Sequence, residues 1–286
     1  GIISSRRILK RFDPVLLFSK GGFVSVPPVL AARRLGIPVI THESDFDPGL
    51  ATRLNLRSAR VLLTSFEETA EFVQPRDGLR IVFTGNPVRR ELLEGDARRG
   101  RELLGAGERD RILLIMGGSQ GARQINELVG PVRGRLTEHC FVVHQTGAAG
   151  GEGSAAGRES GGGRYRSYEF IARELPDIFA AADLVICRAG ATTLAELSAL
   201  KKPAVLIPLT SGTRGDQVRN ARYFAERGAA VLLENPRPED LLGAVVDLIS
   251  DGNKRKLLAE KAARTMPVDA ARRAADEIRR VLAERS

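Results

Sequence analysis

The segment ILLIMGGSQGAR, at positions 112–123, is the first candidate for chemistry. An apolar run up to Met116 is followed by Gly117-Gly118 and Ser119, after which a helical pattern begins. A strand, a glycine turn and a helix start together present backbone N–H groups to a phosphate. The lysine of an ATP-binding loop and the G-x-G-x-x-G spacing of a dinucleotide site are both missing. We therefore expect the turn to hold a diphosphate through N–H dipoles, although Ser119 also suits a plain helix N-cap.

A second candidate helix start lies in DLVICRAGATTLAEL, where Gly190 follows an apolar run. The spacing Thr193-x-x-Glu196 is that of a capping box, in which Glu196 would only close a helix end. In the alternative, Ala191, Thr192 and Thr193 offer amides and hydroxyls to a phosphate, and Glu196 accepts hydrogen bonds from sugar hydroxyls. Two such helix starts in one half of the chain favour the alternative.

The loop IPLTSGTRGDQVRNA follows another apolar run and carries Gln217. A glutamine offers a donor and an acceptor without a charge, which suits recognition of a sugar hydroxyl. We expect Gln217 to face the same ligand as the two helix starts.

The first half of the chain has its own candidates. Gly21-Gly22 in SKGGFVSVP allow close approach of the backbone, and the prolines after them suit the first turn of a helix. His42, Glu43 and Asp45 follow the next apolar run, in HESDFDPGLATR. In the alternative interpretation the diglycine forms a tight turn without a binding role. A single His beside a Glu is more often structural than catalytic. The lack of a second histidine at metal-ligand spacing argues against a zinc site.

These residues need a frame that brings them together. Short apolar runs alternate with helical patterns along the chain, which predicts an α/β fold with parallel sheets and helices on both faces. Ligands of such folds bind at the carboxyl ends of the strands. The predicted strands are Val15–Phe18, Pro38–Thr41, Val61–Thr64, Arg80–Phe83, Ile112–Met116, Cys140–His144, Leu184–Cys187, Ala204–Ile207 and Ala230–Leu233.

The pattern also predicts two domains. The stretch between Asn86 and Arg111 is polar, charged and bounded by Gly-Asn-Pro, which is typical of an interdomain connection. We expect one domain over 1–88 and a second over 89–267, with a closing helix over 268–286 completing the first. Residues 147–164 are rich in Gly and Ser and predict a surface loop.

The composition limits the partners. With 43% apolar residues among 286, the chain is globular, and its two isolated cysteines suit burial in a reducing compartment. The net charge of +9 favours an acidic partner, either a diphosphate or anionic lipid headgroups. Nucleic acid is disfavoured, because the chain has no Trp and only three Tyr, without interleaved basic residues. No apolar run approaches the roughly 20 residues that span a bilayer.

Four basic residues, Arg6, Arg7, Lys10 and Arg11, surround one helical segment near the start of the chain. This segment is either a solvated helix face or a surface attracted to an anionic membrane, at about 1 kcal/mol per basic residue. Both interpretations fit the sequence, and a membrane contact of this kind would weaken as salt is raised.

Seven segments together closely resemble the MurG family, bacterial transferases within glycosyltransferase family 28. In chain order they are SKGGFVSVP, HESDFDPGLA, FTGNPVR, MGGSQGARQIN, YEFI, CRAGATTLAE and DQVRNA. The resemblance covers nearly the whole chain, and the combination is specific although a single diglycine would not be. It implies a GT-B fold of two facing Rossmann-like domains, the N-terminal one incomplete here, with UDP-N-acetylglucosamine (UDP-GlcNAc) bound by the C-terminal domain.

The acceptor that the resemblance implies is lipid I, undecaprenyl-pyrophosphoryl-MurNAc-pentapeptide, and the product is lipid II. The N-terminal domain would bind lipid I at the cytoplasmic face of the cell membrane, as a peripheral protein. Cell-wall synthesis proteins are further expected partners.

The resemblance also assigns contacts to the donor. They fall on Arg89, Gly118, Ser119, Ile171, Ala191, Thr192, Thr193, Leu194, Glu196 and Gln217. Ser119 would meet the diphosphate, Glu196 the ribose and Gln217 the GlcNAc hydroxyls. Ile171 would meet the uracil, and Arg89 would contact the nucleotide sugar.

The reaction that the resemblance implies is a single inverting displacement. The C4 hydroxyl of the acceptor MurNAc would attack the anomeric carbon while a general base takes its proton. Amides directed at the departing diphosphate would stabilise its charge, so neither a metal ion nor a cofactor is expected to be required.

On the acceptor side, the resemblance places Gly21, Gly22 and Asp45, the last at a position where many family members carry Asn. His42 and Glu43 are left as the candidate catalytic residues. The family's glycine loop ending in His does not occur in a chain that begins at Gly1. We therefore expect the chain to lack a first βα unit or two and to be poorly active or inactive.

Three alternatives remain open. A UDP-sugar:diacylglycerol glycosyltransferase would have the same fold and donor motifs, but HESD and the diglycine loop favour the MurG family. A UDP-GlcNAc 2-epimerase would need several carboxylates and histidines around the sugar, and the chain has three histidines. An inactive scaffold in cell-wall synthesis would not need to bind UDP-GlcNAc.

Overall fold

The computed structural model describes residues 1–117, 122–147, 158–160, 163–210 and 215–284. The chain divides into two compact units. Unit 1 consists of Gly1–Pro87 and Met266–Ser286, and unit 2 of Val88–Thr265. Each unit is built on a largely or wholly parallel sheet, which confirms the predicted α/β class.

Unit 1 has a four-stranded parallel sheet in the order β1-β2-β3-β4. The strands are β1 (Leu17–Ser19), β2 (Val39–Glu43), β3 (Val61–Thr64) and β4 (Arg80–Phe83). The helices are α1 (Ile2–Phe12), α2 (Val26–Arg34), α3 (Leu50–Leu56) and α13 (Ala270–Ala283), with 3-10 turns over Phe23–Ser25 and Glu67–Phe72.

Both faces of the unit 1 sheet are covered by helices. Successive strand residues point to opposite sides of the sheet, so neighbours in β2 pack in different layers. Val39 packs with Leu9 of α1 and with α2 on one side. Ile40 packs with Val281 of α13 on the other side. Helix α13, near the end of the chain, therefore packs within unit 1.

Unit 2 has a seven-stranded sheet in the order β11-β10-β9-β5-β6-β8-β7, in which β7 alone runs antiparallel. The strands are β5 (Ile112–Met116), β6 (Phe141–Gln145), β7 (Arg158–Ser160), β8 (Tyr165–Tyr168), β9 (Leu184–Cys187), β10 (Ala204–Leu206) and β11 (Val231–Leu232). The helices are α4 (Arg90–Leu93), α5 (Ala97–Leu104), α6 (Ala122–Val129), α7 (Arg133–His139), α8 (Leu175–Ala181), α9 (Ala191–Ala199), α10 (Asp216–Glu226), α11 (Pro238–Ser250) and α12 (Gly252–Thr265), with a 3-10 turn over Gly130–Val132.

The strand order of unit 2 changes direction at β5. The chain continues from β5 to β6 on one side and reaches β9 on the other side later. Such a switch point leaves a crevice outside the carboxyl ends of the strands, where ligands of this fold class bind. Met116, the last residue of β5, is in register with Gln145 of β6 and with Cys187 of β9.

Helix α5 and the turn before it pack against α8 so closely that two positions admit only glycine. A Cβ on Gly100 would lie 2.1 Å from the carbonyl oxygen of Asp177, and one on Gly95 would lie 2.1 Å from that of Pro176. Arg99 reinforces the contact, donating from Nε and Nη2 to the two carboxylate oxygens of Asp177 at 2.5 and 2.6 Å. This packing fixes the segment that follows Arg89 onto the body of unit 2.

The nine predicted strands are present, with ends that shift by at most two residues. β7 and β8 were not predicted. β7 lies within the stretch 147–164, where the prediction of a loop is wrong for residues 158–160. β8 has the sequence YRSY, whose buried residues carry hydroxyls, so it has no apolar pattern. Within the described residues, no helix has the length and the apolar character that crossing a membrane requires.

Candidate functional site

A cavity of about 240 Å³ lies at the switch point of the unit 2 sheet. Three of its lining residues, Cys187, Met116 and Gln145, form one register row at the carboxyl ends of β9, β5 and β6. The other lining residues are Arg89, Phe170, Ile171, Ala172, Leu175, Arg188, Thr193 and Glu196. The structure thus brings Arg89, Ile171, Thr193 and Glu196, four predicted donor contacts, to one cavity.

An ion pair lies at this cavity. Arg89 Nη2 is 3.2 Å from Glu196 Oε1, and the Arg89 side chain is 62% exposed while that of Glu196 is 9% exposed. Burial raises the pKa of Glu196, and the Arg89 guanidinium acts in the opposite direction. The pair offers a largely buried carboxylate, which can accept hydrogen bonds from hydroxyls, beside a cation that a ligand can reach.

Helix α9 begins at Ala191, with Gly190 as its N-cap. Thr193 and Glu196 lie inside the helix, so the predicted capping box is wrong: Thr193 is not at the N-cap position that the motif requires. Gly190 has no side chain, so no side-chain cap is present at the start of this helix. Leu194 has a fully buried side chain and donates its N–H to Gly190 O at 3.0 Å, so it contributes to packing.

Arg188, which was not among the predicted site residues, follows β9 and also lines the cavity. It is 7% exposed, and its Nη1 donates to Gln124 Oε1 at 2.8 Å and to Ile207 O at 2.9 Å. Burial lowers its pKa. Its position directly after an apolar strand at the switch point was the available signal.

Ile171 is buried, and its backbone N–H donates to Gln145 Oε1 at 3.0 Å. The neighbouring Phe170 is 64% exposed and lines the cavity. An exposed aromatic ring beside apolar lining residues suits stacking with a flat ring of a ligand. Gln145 and Phe170 were both missed as functional residues, even though Phe170 lies in the quoted motif YEFI.

Gln217 is the second residue of α10, and its Oε1 accepts a hydrogen bond from Leu209 N at 3.0 Å. Asn220, one turn later, donates to Ala189 O at 3.2 Å and so ties α10 to the loop before α9. An amide oxygen has two lone pairs, so this bond is compatible with the expected donor and acceptor roles of Gln217, and its contact with a ligand stays a prediction. Gly118 and Ser119, the predicted diphosphate contacts, lie outside the described residues.

The acceptor-side candidates belong to unit 1, where Lys20 makes a polar cluster with His42. Lys20 Nζ contacts His42 Nδ1 at 2.9 Å, Ser44 Oγ at 3.0 Å and Asn86 Oδ1 at 3.0 Å. His42 Nε2 lies 3.0 Å from Gly85 O. Burial, together with the Lys20 cation, lowers the pKa of His42 to about 4. Both ring nitrogens are thus engaged in this structure, and the catalytic role of His42 remains a prediction.

Glu43 is also largely buried and closes the loop that follows β2. Its Oε1 accepts from Asp45 N and its Oε2 from Gly49 N, both at 3.1 Å. Gly21 and Gly22 have φ angles of 79° and 76°, in the left-handed region that favours glycine. The backbone conformation of Gly21 and Gly22 and the backbone hydrogen bond of Asp45 thus determine where these three residues lie. Their contact with an acceptor stays a prediction.

A metal centre would need several ligands close together. Among the described residues, no three His, Cys, Asp or Glu side chains are grouped in this way.

Both halves of the chain match known families. Residues 112–278 match the family model for the glycosyltransferase family 28 C-terminal domain, and residues 1–99 match the one for its N-terminal domain.

Two curated relatives carry the same name, UDP-N-acetylglucosamine–N-acetylmuramyl-(pentapeptide) pyrophosphoryl-undecaprenol N-acetylglucosamine transferase. The one from Treponema denticola is 41% identical over 278 residues, covering 92% of this chain and 71% of the relative. The one from Clostridium perfringens is 41% identical over 261 residues, covering 90% and 71%. Among solved structures, MurG of Acinetobacter baumannii matches with a TM-score of 0.75 and 27% identity, covering 98% of this chain and 77% of that one. The two sheet-based units thus have the GT-B fold, and the chain belongs to glycosyltransferase family 28.

Proposed function

We propose that the chain transfers N-acetylglucosamine from UDP-GlcNAc to the MurNAc of pyrophosphoryl-undecaprenol lipid I, forming lipid II. Family membership and the shared name of the curated relatives support this activity. The observation that carries it is the Arg89–Glu196 pair at the cavity of the unit 2 switch point, where a nucleotide-binding fold of this class takes its ligand.

The proposed donor site uses the parts of the cavity as follows. Glu196 accepts hydrogen bonds from the ribose hydroxyls, and the start of α9 directs N–H groups at the diphosphate. Arg89 and Arg188 add two cations near the leaving group. Because these groups are fixed before the reaction, they stabilise the charge that grows as UDP departs with little reorganisation. Gln217 donates to a GlcNAc hydroxyl.

For the acceptor, we propose unit 1, with Gly21, Gly22 and Asp45 at the acceptor and with His42 and Glu43 in catalysis. The hydrogen bonds of His42 and Glu43 favour a part for both in holding the acceptor loop. A role for His42 in proton transfer would require one of its two ring contacts to open.

We also propose that α1 contacts an anionic membrane surface. Ile3, Ile8 and Phe12 of this helix are 71, 55 and 76% exposed. The same helix carries Arg6, Arg7, Lys10 and Arg11. Exposed apolar residues among basic ones are typical of interfacial helices. Binding to vesicles that contain anionic lipid should weaken when the salt concentration is raised about tenfold, from about 0.05 to about 0.5 M. Binding that does not change with salt would contradict the electrostatic part of the proposal.

Calorimetry with the chain tests the donor. We expect UDP-GlcNAc to bind more tightly than UDP-glucose or UDP-galactose, and Gln217→Ala to lose this preference while still binding UDP. The exposed Gln74 in unit 1 gives a control, Gln74→Ala, which should behave as wild type. Absence of UDP-GlcNAc binding would contradict the enzyme proposal and favour a scaffold.

A transfer assay then separates the acceptors. Labelled GlcNAc should appear on lipid I and not on diacylglycerol, and transfer to diacylglycerol would favour the alternative transferase.

A further inference from the structure

Gln145, the last residue of β6, has an amide whose orientation is determined by its partner. Its Oε1 lies 3.0 Å from the backbone N of Ile171. A backbone N–H can only donate, so the side-chain atom that faces it must be the oxygen. The two N–H donors of Nε2 are therefore directed elsewhere.

These two donors have no hydrogen-bond partner among the described residues. Gln145 is only 8% exposed and lines the cavity. The Nε2 donors are therefore open to the cavity, while the rest of the side chain is held in place by Ile171 N–H. An amide that is fixed in this way at a cavity wall can donate to a ligand that supplies an acceptor.

The surroundings of Gln145 suit a flat heterocycle. Met116 and Cys187 continue its register row with weakly polar sulfur side chains. Phe170, next to Ile171, presents an exposed ring to the same cavity. The charged residues of the lining are Arg89, Arg188 and Glu196, which suit the ribose and diphosphate of a nucleotide.

We propose that Gln145 selects the base of the nucleotide: its Nε2 donates to a ring carbonyl of uracil, at the position where cytosine carries an amino group. The proposal rests on the proposed function, because it takes unit 2 as the nucleotide site. Ile171 then acts on the base through Gln145, whose orientation its N–H maintains. A site built to donate a hydrogen bond rejects an analogue that also presents a donor there.

The test compares UDP and CDP binding by calorimetry to the wild-type chain and to two variants. Gln145→Glu keeps the size and the acceptor for Ile171 N–H but replaces the remaining donors by an acceptor. Gln145→Met keeps the approximate shape and removes both functions. We expect the wild type to prefer UDP, and the ratio of the CDP to the UDP dissociation constants to fall at least about tenfold in both variants, which corresponds to 1.4 kcal/mol. In Gln145→Glu the preference should move furthest toward CDP.

The ratio is the readout because a merely structural role of Gln145 would weaken both nucleotides equally. Gln74→Glu, an exposed substitution in unit 1, is the control and should keep the wild-type ratio. Thermal unfolding identifies a variant that does not fold, in which case the other variant decides. An unchanged ratio in a folded variant that binds UDP would overturn the role of Gln145 alone. A wild-type chain that binds neither nucleotide would overturn the proposed function as well.

Discussion

Lys20 Nζ lies 2.9 Å from His42 Nδ1, and the two side chains form one polar cluster inside unit 1. Because a lysine ammonium can only donate, His42 Nδ1 is the acceptor and the ring proton lies on Nε2, which donates to Gly85 O at 3.0 Å. The ring is therefore the neutral Nε2–H tautomer. Burial and, to a lesser extent, the nearby Lys20 cation both oppose a second proton on the ring.

Lys20→Met should raise the pKa of His42, because it removes the cation beside the ring. Burial is the larger cause of the lowered pKa, so the value should still lie below 6.5. Titration of the histidine ring signals by NMR measures the change. Lys10→Met on the exposed helix α1 is the matched control, and a His42 titration that is the same in both variants would show that Lys20 does not act on the ring.

Acid should destabilise the fold through its buried histidines. The pKa values of His42 and His144 are both lowered to about 4 by burial, whereas an unfolded chain has about 6.5. The unfolded state then binds more protons between these values, so stability is fully present above pH 6.5 and is lost as pH falls toward 4. We expect each histidine to remove about 1–3 kcal/mol over this window. Urea unfolding of wild type and His42→Gln measures it, and an equal pH dependence in the two would contradict the assignment to His42.

Glu196→Gln should weaken UDP binding by roughly 10- to 100-fold, since hydrogen bonds to a charged group contribute about 1.5–3 kcal/mol. Burial raises the pKa of Glu196, so the wild type should also lose affinity on acidification at a higher pH than an ordinary carboxyl would require. Calorimetry over a pH series measures both effects. Glu239→Gln, at an exposed Arg135 pair in the same unit, is the control. A Glu196 variant that binds as wild type would contradict the ribose contact.

Gly100→Ala should destabilise unit 2 by about 1–3 kcal/mol, the usual effect of overpacking. The new Cβ would lie 2.1 Å from the backbone oxygen of Asp177, which cannot move without shifting α8. Gly134→Ala is a matched control in another helix, where nothing lies within 4 Å, and it should stabilise by up to about 1 kcal/mol. Chemical denaturation measures the free energy of unfolding of both variants. Similar values would contradict the close backbone contact between α5 and α8.

Chelation should leave donor binding unchanged, because Arg89 and Arg188 supply positive charge at the cavity. The measurement is UDP-GlcNAc affinity before and after dialysis against EDTA. A fall in affinity that Mg²⁺ restores would contradict this prediction.

Local patterns were enough to predict most of the fold. The apolar runs of β5 and β9 and the glycine turns are readable because neighbouring residues determine them. β8 could not be read in this way: its Tyr165 hydroxyl is buried because it bonds His144 Nδ1 at 2.8 Å, a partner 21 residues away.

The candidate site likewise has features that local sequence predicts and features that depend on the tertiary structure. By itself the sequence determined the α/β class, the nine apolar strands and the motifs that carry Arg89, Ile171, Thr193 and Glu196. Only the tertiary structure decided that α9 begins before Thr193, that Arg188 joins the cavity, and that Ile171 orients Gln145. Each of these features depends on the position of a chain segment in the sheet or on groups that are distant along the chain. The free energy of such contacts depends on burial, which cannot be predicted from a local sequence pattern.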